Sequence, residues 1–169
     1  MLVVRAAQTE DANEIAGVHV RSWQVAYRGL MSDAYLDGLR PEDRVAHYTL
    51  DSTEPGRPAT IVAIAGSTIR GFATIGASRS DRSGDEGELY ALYVDPTHWG
   101  HGVGRLLMEE ARARLSGQGY GEAILWVLVR NQHAIRFYDA DGWQPDGHRR
   151  QEEVYGVLAN MIRFRRKLP

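Results

Sequence analysis

Gly100, Gly102 and Gly104 stand at alternate positions between an apolar run, Leu89–Val94, and a helical pattern that begins at Val103. This arrangement suits an anion. The first N–H groups of a helix have no intrahelical partner, and the helix dipole favours negative charge there. Glycine removes the side chains that would keep a phosphate away, and it tolerates backbone angles that other residues avoid. A phosphorylated ligand is therefore expected. A Walker loop is excluded, because Gly104 is followed by Arg105 and Leu106 where Lys and Ser or Thr are needed. The dinucleotide fingerprint fails in both registers, since its last glycine would fall on Arg105 or on Leu107.

Three other groups of residues could take part in chemistry. In Asn131-Gln-His-Ala-Ile-Arg-Phe-Tyr138, Ala134, Phe137 and Tyr138 recur at helical spacing. A phenol there could donate a proton; a buried aromatic pair behind an N-cap asparagine is the structural alternative. Glu88 heads an otherwise apolar strand, where a carboxylate either receives a proton from a substrate or marks a solvated strand end after Asp85 and Glu86. Trp23, Tyr27 and Arg28 close a long amphipathic segment, as one wall of a site or as core with a capped surface. No metal site is expected. His98 and His101 are three apart, but no third ligand is placed with them.

The elements that must position these groups are legible from periodicity. Leu2–Ala6 reads as a strand, and Thr9 as the cap of a helix carrying Ile15, Ala16, His19 and Trp23 on one face. Ser32–Leu39 suggests a second helix, and Pro41 opens a third through Leu50. Asp51–Pro58 and Ser78–Gly87 read as loops, around a hairpin of Thr60–Ala65 and Ile69–Ala77. Glu88–Val94 is a strand stopped by Pro96. Val103, Leu106, Leu107, Ala111 and Leu115 make the apolar face of the next helix. Ala123–Val129 reads as a strand covered on both sides, Asn131 caps a further helix, and Trp143–Arg150 pairs with Val157–Arg165.

Composition limits the function. The chain of 169 residues is 43% hydrophobic and carries a net charge of −2. It is expected to form one domain, 1–169, with no pull toward nucleic acid or a membrane surface. With no cysteine there is no thiol nucleophile and no disulfide, in keeping with a cytoplasmic setting. Met1-Leu-Val-Val-Arg5 turns polar too soon for a signal peptide.

The run Val94-Asp-Pro-Thr-His-Trp-Gly-His-Gly-Val-Gly-Arg-Leu-Leu107 resembles the Q/R-x-x-G-x-G/A motif of the GNAT superfamily of N-acetyltransferases. Trp99 stands at the Q/R position, with His101 and Arg105 nearby as positive groups. Asn131–Tyr138 with Gly142-Trp143 resembles that family's N-x-x-A-x-x-F-Y-x-x-x-G-F/W segment. The resemblance implies an α/β (α+β) fold, with a mixed, mostly antiparallel sheet of about seven strands and helices on both faces. The implied order is β-α-α-β-β-β-α-β-α-β-β. It implies acetyl-CoA as cosubstrate, without a metal. The residues it assigns to the coenzyme are Leu92, Tyr93, Val94, Trp99, Gly100, His101, Gly102, Val103, Gly104, Arg105, Asn131, Ala134, Phe137 and Tyr138. Tyr138 would protonate the departing thiolate, Glu88 would act as base, and a backbone N–H near Tyr93 or Val94 would hold the thioester oxygen. Trp23, Tyr27, Arg28, Tyr90 and Tyr155 would line the site for a small-molecule amine, and a homodimer is the assembly to look for. A non-catalytic acyl-CoA-sensing domain and a protein N-terminal or lysine acetyltransferase are the alternatives.

Overall fold

A computed structural model describes residues 1–45, 48, 50, 57–79, 84–154 and 157–169. Its strands are β1 (Leu2–Ala6), β2 (Ala59–Ala65), β3 (Thr68–Ala77), β4 (Glu86–Val94), β5 (Glu122–Leu128), β6 (Gln144–Val154) and β7 (Val157–Lys167). They form one sheet in the order β1-β2-β3-β4-β5-β7-β6. Every pair is antiparallel except β4 with β5. The helices are α1 (Ala12–Ala26), α2 (Asp33–Asp37), α3 (Glu42–Val45), α4 (Val103–Gly117) and α5 (Gln132–Ala140). This is the expected mixed sheet. No described helix is long and apolar enough to cross a membrane.

The connection from α1 to β2 holds the two short helices that Ser32–Leu39 and Pro41 suggested, one more than the order implied by the resemblance. Ser32 caps α2 by accepting the Tyr35 N–H at 3.2 Å, and Gly38 ends it. The third helix is described over Glu42–Val45, and it does not reach Tyr48 or Leu50. Residues 46, 47, 49, 51–56 and 80–83 lie outside the described set, and with them most of the Asp51–Pro58 loop and part of Ser78–Gly87. The start of α1 also differs. Thr9 opens a short 3₁₀ turn, Thr9–Asp11, with Gln8 at its N-cap, and α1 starts after Asp11, whose carboxylate accepts the Gln8 N–H at 2.8 Å and the Arg5 guanidinium at 2.7 Å.

Alternation along the strands builds two cores. Ile61, Ala63, Ala73, Ile75 and Leu89 pack against Val103, Leu107, Met108, Ala111 and Leu115 of α4. Met108 takes the inward place expected of Leu106, which is only half-buried. On the other face, Val62, Ile69 and Phe72 pack against Ile15 and Val18 of α1. Ala134, Phe137 and Tyr138 of α5 join the α4 side. Helices thus cover both faces, but α1 lies over β3 and β4. The α1-side face of β5, β7 and β6 remains the floor of a cavity.

Asp95 connects α1 to the turn that precedes α4. One carboxylate oxygen accepts the Thr97 N–H at 3.1 Å and the Thr97 hydroxyl at 2.8 Å; the other accepts Arg21 Nε and Nη2 at 3.0 and 2.8 Å. Burial pulls the Asp95 carboxyl upward, but the bonds from Thr97 and Arg21 outweigh it and hold the group below the usual carboxylate range. Its contribution to stability is full above about pH 4 and fades as pH falls through the lowered folded value. Asp95→Ala is expected to cost about 1–3 kcal/mol in urea unfolding at pH 7. The difference from wild type should shrink on acidification.

Candidate active site

β4 and β5 separate soon after they meet. Their parallel pairing covers Glu86–Glu122, Gly87–Ala123 and Glu88–Ile124. The next residues of β4 stay with β3, where Thr74 faces Ala91 and Ile75 faces Leu89, so that Tyr90 is the extra residue of a bulge. A bulge increases twist and turns the strand away from its neighbour. A cavity of about 900 Å³ opens in the gap. The glycine turn, α4 and α5 border one side of it. The end of α1 and the exposed face of β5, β7 and β6 border the other.

The glycine turn is built for close approach. Gly100 and Gly102 have φ of +78° and +83°, the left-handed region that suits glycine. A Cβ on either would meet nothing within 4 Å, so the space beside the turn is open. Gly102 precedes α4, and the N–H groups of Val103, Gly104 and Arg105 lack intrahelical acceptors. Gly104 serves packing instead: its Cβ would stand 3.3 Å from the Phe137 ring. Trp99 donates its indole N–H to the Val94 carbonyl at 2.9 Å and stacks on His133 with centroids 4.9 Å apart. Its polar atom thus fastens the turn to the end of β4. Arg105 lines the cavity. His101 does not; it is exposed and bonds the Trp99 carbonyl at 2.9 Å.

The open edge of β4 offers backbone donors. Asp95 gives its N–H to Arg70 O of β3 at 2.8 Å. Antiparallel geometry alternates, so Tyr93 also turns its N–H toward β3, while Leu92 and Val94 turn theirs toward the gap. Of the two expected positions, Val94 is the one whose N–H faces the cavity.

α5 brings the phenol. Asn131 caps it by accepting the Ala134 N–H at 3.2 Å. Asn131, Ala134, Phe137 and Tyr138 all line the cavity, as do Leu92, Tyr93, Val94, Trp99, Gly100, Gly102, Val103 and Gly104. Tyr138 packs edge-on to Phe137 and Trp143. Burial first, and then the nearby Tyr93, push its phenol well up from the usual value, so the hydroxyl keeps its proton at neutral pH. Tyr27 is pushed up in the same way, by burial and by Tyr93.

Glu88 is placed differently from the expected base. It is 1% exposed and does not line the cavity. Its carboxylate accepts the Arg79 backbone N–H at 2.9 Å and the Arg79 guanidinium at 2.6 and 3.2 Å. Arg79 covers it and lines the cavity in its stead. The guanidinium also lies 4.2 Å over the ring of Tyr90, whose hydroxyl donates to the Ala77 carbonyl. Gly76 makes room for that ring, since a Cβ there would sit 2.7 Å from the Tyr90 oxygen.

Trp23, Tyr27 and Tyr90 line the other end of the cavity, and Arg28 does not. Arg28 bonds Gln24 O, Asp33 and Asp37 on the outside of α1 and α2. Tyr155 lies outside the described residues. Several lining residues were not singled out from sequence: Arg79, Trp126, Met161, Arg150 and Glu152 among them. Trp126 alternates outward in a run that reads as fully covered. The face it shares with β7 and β6 depends on register, which no local pattern shows. Among the described residues no group of three or more His, Cys, Asp or Glu could hold a metal ion.

The sequence model of the Acetyltransferase (GNAT) family matches residues 19–143. An uncharacterized N-acetyltransferase of Bacillus subtilis, YuaI, is 32% identical over 143 residues, which cover 83% of this chain and 79% of that protein. The PaiA N-acetyltransferase of Thermoplasma acidophilum, solved with coenzyme A, aligns over 99% of both chains at 22% identity with a TM-score of 0.72. YncA of Salmonella typhimurium, a proposed acetyltransferase solved with acetyl-CoA, aligns over 100% of this chain and 95% of its own at 18% identity with a TM-score of 0.75. With its family match, its bulged and splayed strands, and its glycine turn at a helix start, this chain belongs to the GNAT family of acetyltransferases.

Proposed function

We propose that this chain moves an acetyl group from acetyl-CoA to the primary amine of a small molecule, by direct attack in a ternary complex. The observation that carries this reading is a single cavity joining the glycine turn to an aromatic chamber through the β4–β5 gap. The N–H groups of Val103, Gly104 and Arg105 face a pyrophosphate, and Gly100 and Gly102 leave it room. Val94 turns an N–H to the place where thioester oxygen gains charge, a fixed dipole of the oxyanion-hole kind.

The acceptor ammonium loses a proton to solvent and attacks as the free amine. Nitrogen bonds to the acetyl carbon, the carbon–sulfur bond breaks, and the thiolate takes the proton of Tyr138. The new amide nitrogen gives up its extra proton, which restores the phenol. Glu88 has a positioning role here: it is saturated by Arg79 and holds that guanidinium at the cavity. No cysteine exists to carry an acyl group.

The test is a panel of amines, amino acids and peptides with acetyl-CoA, followed by free-thiol detection. Thiol release that depends on a small amine is the expected result. Release with peptides alone would assign the chain to protein acetylation. Tight acetyl-CoA binding with no release would leave a sensing domain.

A further inference from the structure

The α1-side face of β5, β7 and β6 carries its own polar chemistry. Register sets which residues share it. Trp126 pairs with Arg163 and Leu128 with Met161 across β5 and β7; Arg150 pairs with Met161 across β6 and β7. Residues paired across strands share a face, as do those two apart on one strand. Trp126, Arg163, Met161, Arg150 and Glu152 therefore stand together, and all but Arg163 line the cavity.

Two donors on this face are buried and have no acceptor among the described residues: Arg150 Nε and Trp126 Nε1. They are neighbours, for the Arg150 guanidinium lies 4.3 Å over the Trp126 ring. The rest of that guanidinium is weakly engaged. Its Nη2 meets the Met161 sulfur at 3.9 Å and a Glu152 oxygen at 3.6 Å. Arg163 is taken up already, by Asp146 at 2.7 Å and His148 at 2.9 Å. A buried donor without an acceptor costs free energy that a bound acceptor recovers. Trp23, Tyr27, Met31 and Met161 line the same chamber, with the Glu152 carboxylate beside Arg150. Unpartnered N–H donors on two stacked groups, a guanidinium and an indole, suit the oxygens of a carboxylate.

We propose that Arg150 and Trp126 form a carboxylate subsite, so that the acceptor is an α-amino acid with a large apolar side chain rather than a polyamine or a simple amine. The inference rests on the acetyl-transfer reading of this cavity. The amino group would be acetylated, the side chain would lie among the aromatic residues, and the carboxylate would take up the two donors.

The test compares leucine, methionine and phenylalanine with the amines that lack only their carboxylate, and with spermidine, by kcat/KM at fixed acetyl-CoA. The amino acids should exceed their amines by about 10–100-fold, the range of a charge-assisted hydrogen-bonded contact. Arg150→Gln should collapse that ratio toward one, and Arg150→Lys should restore part of it. An unchanged melting temperature and acetyl-CoA affinity in both variants would show that the fold persists. Equal or better turnover of the simple amines or spermidine in the wild type would overturn the subsite while leaving acetyl transfer intact. So would an unchanged ratio in Arg150→Gln. If no acceptor releases thiol, binding of the amino acids to the coenzyme-loaded protein decides by calorimetry. Loss of binding in Arg150→Gln would uphold the subsite although transfer fails, and no binding to the wild type would overturn it.

Discussion

Tyr138→Phe is expected to lower kcat by about 10²–10⁴-fold, the range of general acid catalysis, with melting temperature and acetyl-CoA affinity nearly unchanged. The substitution removes one hydroxyl from a ring that keeps its contacts with Phe137, Trp143 and Phe164. Among the described residues no hydrogen-bond partner of that hydroxyl is left behind. The pH profile adds a second readout. Burial raises the Tyr138 phenol above its usual value near 10, so the acid form persists through the alkaline range. The wild-type rate should rise with pH as the acceptor amine is freed, and should not fall before about pH 10. A fall near pH 8, or a wild-type rate in Tyr138→Phe, would assign the proton to another group.

Gly102→Asp is expected to weaken acetyl-CoA binding by about 10²-fold or more by calorimetry, a scale set by one like charge a few ångströms from a pyrophosphate. The position requires φ of +83°. Aspartate and asparagine tolerate that region better than other side chains, and a valine would be strained. A Cβ meets nothing within 4 Å there, so the protein should fold and the new side chain should enter the open space. Gly102→Asn supplies the control. It fills the same volume without charge and should lose less affinity than Gly102→Asp. Equal, small losses in both variants would remove the turn from the phosphate site.

Both positions lie on the cavity, where the sequence reading put them. The glycine turn was legible because a strand, alternate glycines and a helix start are local signals of an anion cradle. Tyr138 was legible through the resemblance of Asn131–Tyr138 to the family's segment, since spacing alone reads equally as a buried aromatic pair. The mixed sheet was legible through strand periodicity and family resemblance. What escaped depends on contacts distant in sequence. Glu88 looked like an available carboxylate, but the chain turns back so that Arg79, nine residues earlier, covers it. Trp99 looked like a missing cation, whereas its indole fastens the turn to Val94. Trp126 and Arg150 meet only through the register of β5, β7 and β6. The third helix was drawn too long, through Leu50, because Pro41 marks a start but nothing nearby marks a stop before Tyr48.

The central claim is that this cavity delivers an acetyl group from acetyl-CoA straight to an amine. A single-turnover mixture of the protein, isotopically labelled acetyl-CoA and one accepted amine tests it most directly, with mass spectrometry of small molecules and intact protein. The account predicts label on the amine nitrogen, an equal amount of free thiol, and none on the protein at any time. Label on the protein before the amine, or intact labelled acetyl-CoA that stays bound with every amine tried, would contradict it.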